Sequence, residues 1–445
     1  MIPILLIGAG KSATTLIDYL LKNSAESDWT LTVADMNVEL TEEKINGHPK
    51  GKAVELDVAN LDQLEKLVKE HHLVISMLPA FMHMNVARFC VKHKKHMVTA
   101  SYVSEEMEAL NEEAKKAGIV LLNEIGLDPG VDHMTAMHTL DRLRNNGCVI
   151  TGFETFTGGL MAPESENNPW KYKFTWNPRN VVMAASGGAV KFLQDGKYKY
   201  IPYHKVFRRT EVIDIEGFGE YEGYANRDSL KYLKLYNLEG VKTLYRGTLR
   251  RVGFSRAWDV FVQLGATDDS YVMENTAQLT HREFINSFLF YHPTDSVETK
   301  LAMLLKLDHD SDEIRKVAWL GLFTNEPVGL HQPSTPAQIL QHILEKKWTL
   351  EQWEKDMIVM WHKFNYVEHG VPHELHATLA VKGDDDLHTA MAKTVGIPLG
   401  IGVKNILNGR ITTPGVHIPN TKEIYTPVLK ELETFDIKCS EKLVY

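Results

Sequence analysis

Apolar positions run along this chain in two rhythms. Ile2-Pro3-Ile4-Leu5-Leu6-Ile7 is almost unbroken, which predicts a strand buried on both faces of a parallel sheet. Between residues 14 and 21, Leu16, Ile17, Leu20 and Leu21 recur at helical spacing, which predicts a helix. The alternation continues: residues 29–34, 53–58, 73–78, 96–100 and 118–123 read as five more strands with helical stretches between them. Ser104 followed by Glu105 and Glu106 marks one helix start. Six strands joined by crossovers predict a doubly wound sheet, whose ligands bind beyond the carboxyl ends of the strands. That rim carries Asp35, Asp57, Met77-Leu78, Ala100-Ser101-Tyr102 and the run from Glu124 to Asp128.

From about residue 150 the rhythm changes. Residues 151–157, 211–215 and 258–262 read as strands among long loops rich in Gly, Pro and aromatics, and residues 270–365 turn helical. Thr335 with Pro336 and Gln338 reads as a capping box with proline in the first turn, and Thr349 with Gln352 as a second. Residues 376–381 predict a strand, and 387–395 a helix able to return to the first domain. The expected class is α/β: a Rossmann doubly wound parallel sheet, a mixed α+β substrate domain and a helical third part. The expected boundaries are 1–128 with a return of about 385–425, then 129–270 with 365–384, and 271–364.

The junction of the first strand and helix holds Gly8-Ala9-Gly10-Lys11-Ser12-Ala13. In a strand–turn–helix setting, G-x-G-x-x-A aims helix N-terminal amides at a pyrophosphate. Asp35 ends the second strand, 35 − 13 = 22 residues beyond Ala13, near the roughly 20 expected of an acid that binds the ribose hydroxyls of NAD. A structural turn without ligand is the plain alternative.

Composition narrows the classes. Lys plus Arg (49) against Asp plus Glu (58) gives −9, which argues against nucleic acid or an anionic membrane as partner. No apolar stretch has the length of a membrane span, and the first apolar run enters the glycine turn directly, unlike a signal peptide. Cys90, Cys148 and Cys439 are isolated, with no disulfide framework and no zinc spacing. A cytoplasmic protein without a metal site is expected.

Further candidates lie beyond the rim. Two segments, Tyr224-Ala225-Asn226-Arg227-Asp228-Ser229 and Tyr245-Arg246-Gly247-Thr248-Leu249-Arg250, place arginine beside small polar groups. They fit either a grip on an anionic substrate or surface ion pairs. The loop from Gly158 through Trp176 to Arg179 is either a binding loop or an ordered surface loop. Asp128, in a glycine-flanked turn, is either a base or amine binder, or the cap of a helix starting at Pro129.

Several segments in order resemble the saccharopine dehydrogenase family, in its glutamate-forming branch. They are the run Lys94 to Ser104, the run Asn123 to His133, Gly158-Gly159-Leu160 with Ala162-Pro163-Glu164, Asn226-Arg227-Asp228-Ser229, Arg246 to Arg250, and Ala390 to Pro398. The resemblance implies a substrate and dimerisation domain after the Rossmann domain, and a homodimer. It implies oxidation of saccharopine with NAD(P)+ and water to L-glutamate and 2-aminoadipate 6-semialdehyde. Saccharopine has three carboxylates, so the pocket needs fixed cations. By the family pattern Ser101, Tyr102, Asp128, Arg227, Thr248, Leu249 and Arg250 bind substrate, and Asp128 and Tyr102 are the acid–base candidates. Rim and resemblance together nominate Gly8, Gly10, Lys11, Ser12, Ala13, Asp35, Asp57, Val58, Met77, Leu78, Ala100, Ser101, Leu127 and Trp176 for the cofactor. Two departures stand out. Many members have Cys before the Gly-Gly-Leu, where this chain has Thr157, so no thiol is required. NADP-using members carry Arg after the second strand, where this chain has Asp35-Met36-Asn37. A carboxylate there repels a 2′-phosphate, so NAD is the expected cofactor, with NADP as the alternative. The rival functions are a carboxynorspermidine dehydrogenase-type imine reductase and a non-catalytic nucleotide-binding protein on the same fold.

Overall fold

The computed structural model describes residues 1–444. The chain divides into two units: one of residues 1–150, 366–373 and 379 onward, the other of residues 151–365 and 374–378.

The first unit is a parallel sheet. Its strands are β1 (Ile2–Ile7), β2 (Trp29–Asp35), β3 (Gly51–Glu55), β4 (Leu73–Ser76), β5 (His96–Val98) and β6 (Val120–Leu122). The order is β6-β5-β4-β1-β2-β3, and the strand Gly415–His417 adds in parallel beyond β6. β1 and β4 are buried at nearly every position, as a sheet covered on both faces requires. The helix Thr14–Asn23 buries Leu16, Ile17, Leu20 and Leu21. It packs on the long helix Ala390–Leu407, where close approach depends on small residues: a Cβ on Gly396 would lie 2.7 Å from the Leu16 nitrogen. Ser104 caps its helix by accepting from the Met107 amide at 3.1 Å. The strands after β2 stop one to three residues sooner than their apolar runs, which leaves Asp57, Ala100 and Asn123 beyond the strand ends.

The second unit is built on a mixed sheet with helices. Its strands are β7 (Val149–Met161), β8 (Val190–Gln194), β9 (Lys197–Ile201), β10 (Thr210–Ile215), β11 (Gly219–Ala225), β12 (Thr243–Arg251), β13 (Asp356–Glu368) and β14 (Val371–Lys382). The path is β10-β11-β12-β7-β13-β14, with the β8–β9 hairpin joined at β12. β12 runs parallel to β7 and antiparallel to β11. Thr335 forms the expected capping box with Gln338, with Pro336 at the start of the helix Pro336–Trp348.

Two expected elements are different. Residues 258–262 are not a strand but the middle of the helix Phe254–Leu264. Trp258, Val260, Phe261 and Val262 are all buried, and the polar stripe that betrays the helical period, Ser255, Arg256, Asp259 and Gln263, lies mostly outside that five-residue window. Thr349 starts no helix. Its hydroxyl donates to the Glu345 carbonyl at 2.7 Å and closes the helix before it.

Candidate active site

In the first unit the carboxyl ends of the strands gather the nominated residues. Gly8 has φ +99°, and a Cβ there would stand 3.0 Å from the Met77 carbonyl oxygen, so only glycine suits this turn. A Cβ on Gly10 would meet nothing within 4 Å, so the backbone there is open to a ligand. Lys11 is exposed, Ser12 half-buried, and Ala13 buried at the helix start. Asp35 supports the turn: its carboxylate accepts from the Ala9 amide at 2.7 Å and the Asn37 amide at 2.9 Å. Asp57 is exposed and accepts from the Ala59 amide at 2.9 Å, with Val58 half-buried beside it. Met77 and Leu78 follow β4, Ala100 and Ser101 follow β5, and Leu127 is buried in the loop after β6.

The two acid–base candidates meet. The Tyr102 hydroxyl donates to Asp128 Oδ1 at 3.2 Å. Asp128 is not a helix cap. The helix Val131–Asn145 begins beyond Pro129, its N-terminal position is Gly130, and Asp132 rather than Asp128 accepts from the Gly130 amide, at 2.6 Å. Ser101 is held through its hydroxyl: His83 bridges Ser76 Oγ (2.8 Å) and Ser101 Oγ (2.7 Å). Burial pushes the His83 imidazole down to about 4.

The second unit carries the arginines. Alternation along β12 puts Arg246, Thr248 and Arg250 on one face. Register places Thr155 and Thr157 of β7 beside Arg246 and Thr248. Glu222 and Tyr224 of β11 stand opposite Arg250 and Thr248. Arg246 and Arg250 are buried, only 6% and 5% exposed, which removes the reading of both as surface ion-pair residues. The Arg250 guanidinium lies over Tyr172 (5.0 Å to the ring centroid) and Phe254 (5.3 Å) and donates to the Leu249 carbonyl at 2.9 Å. Its Nε, the Thr157 hydroxyl and the Tyr172 hydroxyl are buried without hydrogen-bond partners among the described residues. Buried polar atoms left unmatched are costly, so each of these calls for an explanation. Leu249, on the opposite face, is fully buried. Arg227 is exposed, with a positive φ of 55°. Trp176 lies in the second unit, packed partly against its apolar core.

Residues 4–122 match the family described as Saccharopine dehydrogenase NADP binding domain, and residues 126–437 the Saccharopine dehydrogenase C-terminal domain. The chain belongs to the saccharopine dehydrogenase family. It is 34% identical to saccharopine dehydrogenase [NADP(+), L-glutamate-forming] of Schizosaccharomyces pombe, over 99% of both chains. The Saccharomyces cerevisiae protein of that name is 33% identical over 99% of both. The chain spans about half the length of the rat mitochondrial alpha-aminoadipic semialdehyde synthase, with 34% identity over 97% of this chain and 46% of that one. Among solved structures, the apo histidine-tagged saccharopine dehydrogenase (L-Glu forming) from S. cerevisiae superposes with a TM-score of 0.88 over the whole of both chains, at 32% identity.

These findings overturn the expected preference for NAD. The matching domain is described as NADP binding, and the fungal relatives are named for NADP(+). Asp35 is not the bare anion that its sequence neighbours suggest. Lys44, nine positions further on, folds back onto the turn, where its ammonium donates to the Ala9 carbonyl at 2.7 Å and the Gly10 carbonyl at 2.8 Å. Burial lowers Lys44 to about 8, while Asp35 and Asp18 favour its charged form. A search for arginine beside Asp35 passes over it. Lys44 and His83 also reach this rim, and sequence reading nominated neither. Each follows its strand by several residues, and only the crossover brings it back to the rim.

Proposed function

We propose that this protein is an NADP-dependent, glutamate-forming saccharopine dehydrogenase. It converts saccharopine, NADP+ and water into L-glutamate, 2-aminoadipate 6-semialdehyde, NADPH and a proton, as a step of lysine metabolism. The full-length likeness to relatives named for this reaction carries the reading. The first unit's residues fit the cofactor: the turn Gly8–Ala13 takes the pyrophosphate, and Lys44 offers its ammonium to the 2′-phosphate. When bound, NADP+ supplies the hydride acceptor.

The chain's own groups do the rest. Arg250, Thr248 and Arg227 hold substrate carboxylates, and a guanidinium can do so through paired hydrogen bonds. Asp128 takes the proton of the secondary amine as the lysine-derived carbon is oxidised to an imine carbon. It releases that proton to solvent, then relays the two protons of the water that adds to that carbon to the glutamate nitrogen, which leaves as the amine when the C–N bond breaks and the aldehyde forms. Tyr102, donating to Asp128 Oδ1 at 3.2 Å, fixes which carboxylate oxygen faces the substrate. Thr157 has no part in proton transfer, because its hydroxyl does not ionise usefully near neutral pH.

The reading also covers assembly and compartment. The working form is a homodimer, as the family resemblance implies, which light scattering of the purified protein tests. The three cysteines are free thiols, which fits a reducing cytoplasm. No helix among the described residues is long and apolar enough to cross a membrane. The deciding experiment follows reduced-nicotinamide absorbance with saccharopine and NADP+. Growth of the signal supports the reading. Turnover of carboxynorspermidine without turnover of saccharopine overturns it.

A further inference from the structure

Behind Tyr102 and Asp128 lies a buried chain of three titratable side chains that substrate recognition does not use. Glu124, 3% exposed and with a positive φ of 55°, follows β6. Its carboxylate forks: Oε1 accepts from the Val103 amide at 2.9 Å, and Oε2 is hydrogen-bonded to His133 Nε2 at 2.8 Å. On the other side of the same imidazole, Nδ1 is 3.7 Å from Asp132 Oδ2. Asp132 Oδ1 in turn accepts from the Gly130 amide at 2.6 Å. The Glu124 amide also donates to the Ser101 carbonyl at 3.1 Å.

The chain therefore joins two loops. One end grips the Ser101–Val103 segment on both flanks of Tyr102, and the other grips the turn that carries Asp128. We infer that Glu124, His133 and Asp132 form a positioning frame that sets the Tyr102–Asp128 hydrogen bond and so the aim of the proton-accepting carboxylate. The inference rests on the proposed role of Asp128. A frame made of buried side chains, joined here by the Glu124–His133 hydrogen bond and the 3.7 Å contact of His133 with Asp132, holds geometry more tightly than loop backbone does, and small errors of aim are expensive in rate. The positive φ of Glu124 fits this role, because a non-glycine residue stays in that conformation only where its surroundings over-determine it.

The test is a double-mutant cycle on kcat with Glu124→Gln and Asp128→Asn, alongside NADP+ affinity by fluorescence titration. Glu124→Gln keeps the shape but cannot accept at both ends of the fork. The expected result is a fall in kcat on the order of 100-fold, an unchanged NADP+ affinity, and no further loss when Glu124→Gln is added to Asp128→Asn. The acid limb of the kcat–pH profile should also move in Glu124→Gln. Losses that multiply, or a Glu124→Gln enzyme with normal kcat, overturn the frame while leaving the site reading intact. A normal kcat in Asp128→Asn overturns both. Should Glu124→Gln fail to fold, His133→Gln cuts the same chain at its centre and is read in the same cycle.

Discussion

Arginine at position 250 is where single-residue chemistry weighs most. Its guanidinium is buried on two aromatic rings with Nε unmatched among the described residues. Arg250→Lys keeps the charge but loses the planar fork. Loss of one charged hydrogen bond, about 1.5–3 kcal/mol, should raise KM for saccharopine roughly 10- to 150-fold and leave NADP+ affinity unchanged, as initial-rate and titration data will show. The role proposed for Lys44 is at the other ligand. Lys44→Met should weaken NADP+ binding by roughly tenfold while sparing NAD+. Because burial lowers Lys44 to about 8, its positive charge is lost as pH rises through that value. NADP+ affinity of the unaltered protein should therefore fall above about pH 8, and the Met variant should lack that fall. The turn at Gly8 was legible in sequence because its strand, glycines and helix are neighbours, whereas Tyr102 and Asp128 were nominated through the strand rim and the family resemblance. Lys44 was not, because its partners Ala9 and Gly10 lie on a different element.

Among the elements, the glycine turn depends most on a single conformation. Gly8→Ala forces a Cβ to within 3.0 Å of the Met77 carbonyl oxygen at φ +99°. It should cost roughly 1–3 kcal/mol of stability, visible as a lowered Tm, and should weaken cofactor binding by moving the turn. Strands were the easiest elements to read, since parallel strands buried on both faces leave continuous apolar runs. The helix Phe254–Leu264 was the hardest, for a related reason. Its polar positions Ser255, Arg256, Asp259 and Gln263 do share one side, but only Asp259 falls within residues 258–262, so that short window resembles a strand. Position 349 shows the limit of cap signatures. A threonine with glutamine three residues on marks a helix start only if no helix has just ended.

Across the molecule, buried histidines tie stability to pH. Burial lowers both His83 and His96 to about 4, and His72 adds to the effect on His96. Unfolded imidazoles take up protons near pH 6.5. Between about 6.5 and 4 the unfolded chain binds more protons, so stability is full above 6.5 and falls as pH drops through this window. Each histidine should contribute about 3 kcal/mol to that loss. Denaturant titrations at pH 7 and pH 5 test this, and His83→Gln should flatten the slope. A stability that stays level from pH 7 to 5 would contradict it.

Local order along the chain was enough to reveal strand, turn, helix and acid in sequence, and with them a nucleotide-binding sheet. Those features arise from neighbours a few residues apart, whose periodicity survives in the linear text. The surroundings of the glycine turn and of the rim beyond β4 and β6 were set by contacts across the fold. Lys44 reaches Ala9 and Gly10, His83 spans Ser76 and Ser101, and Glu124 reaches Val103. The crossovers of a doubly wound sheet bring such residues to one rim, so charge and hydrogen bonding there depend on the folded path rather than on any short stretch of sequence.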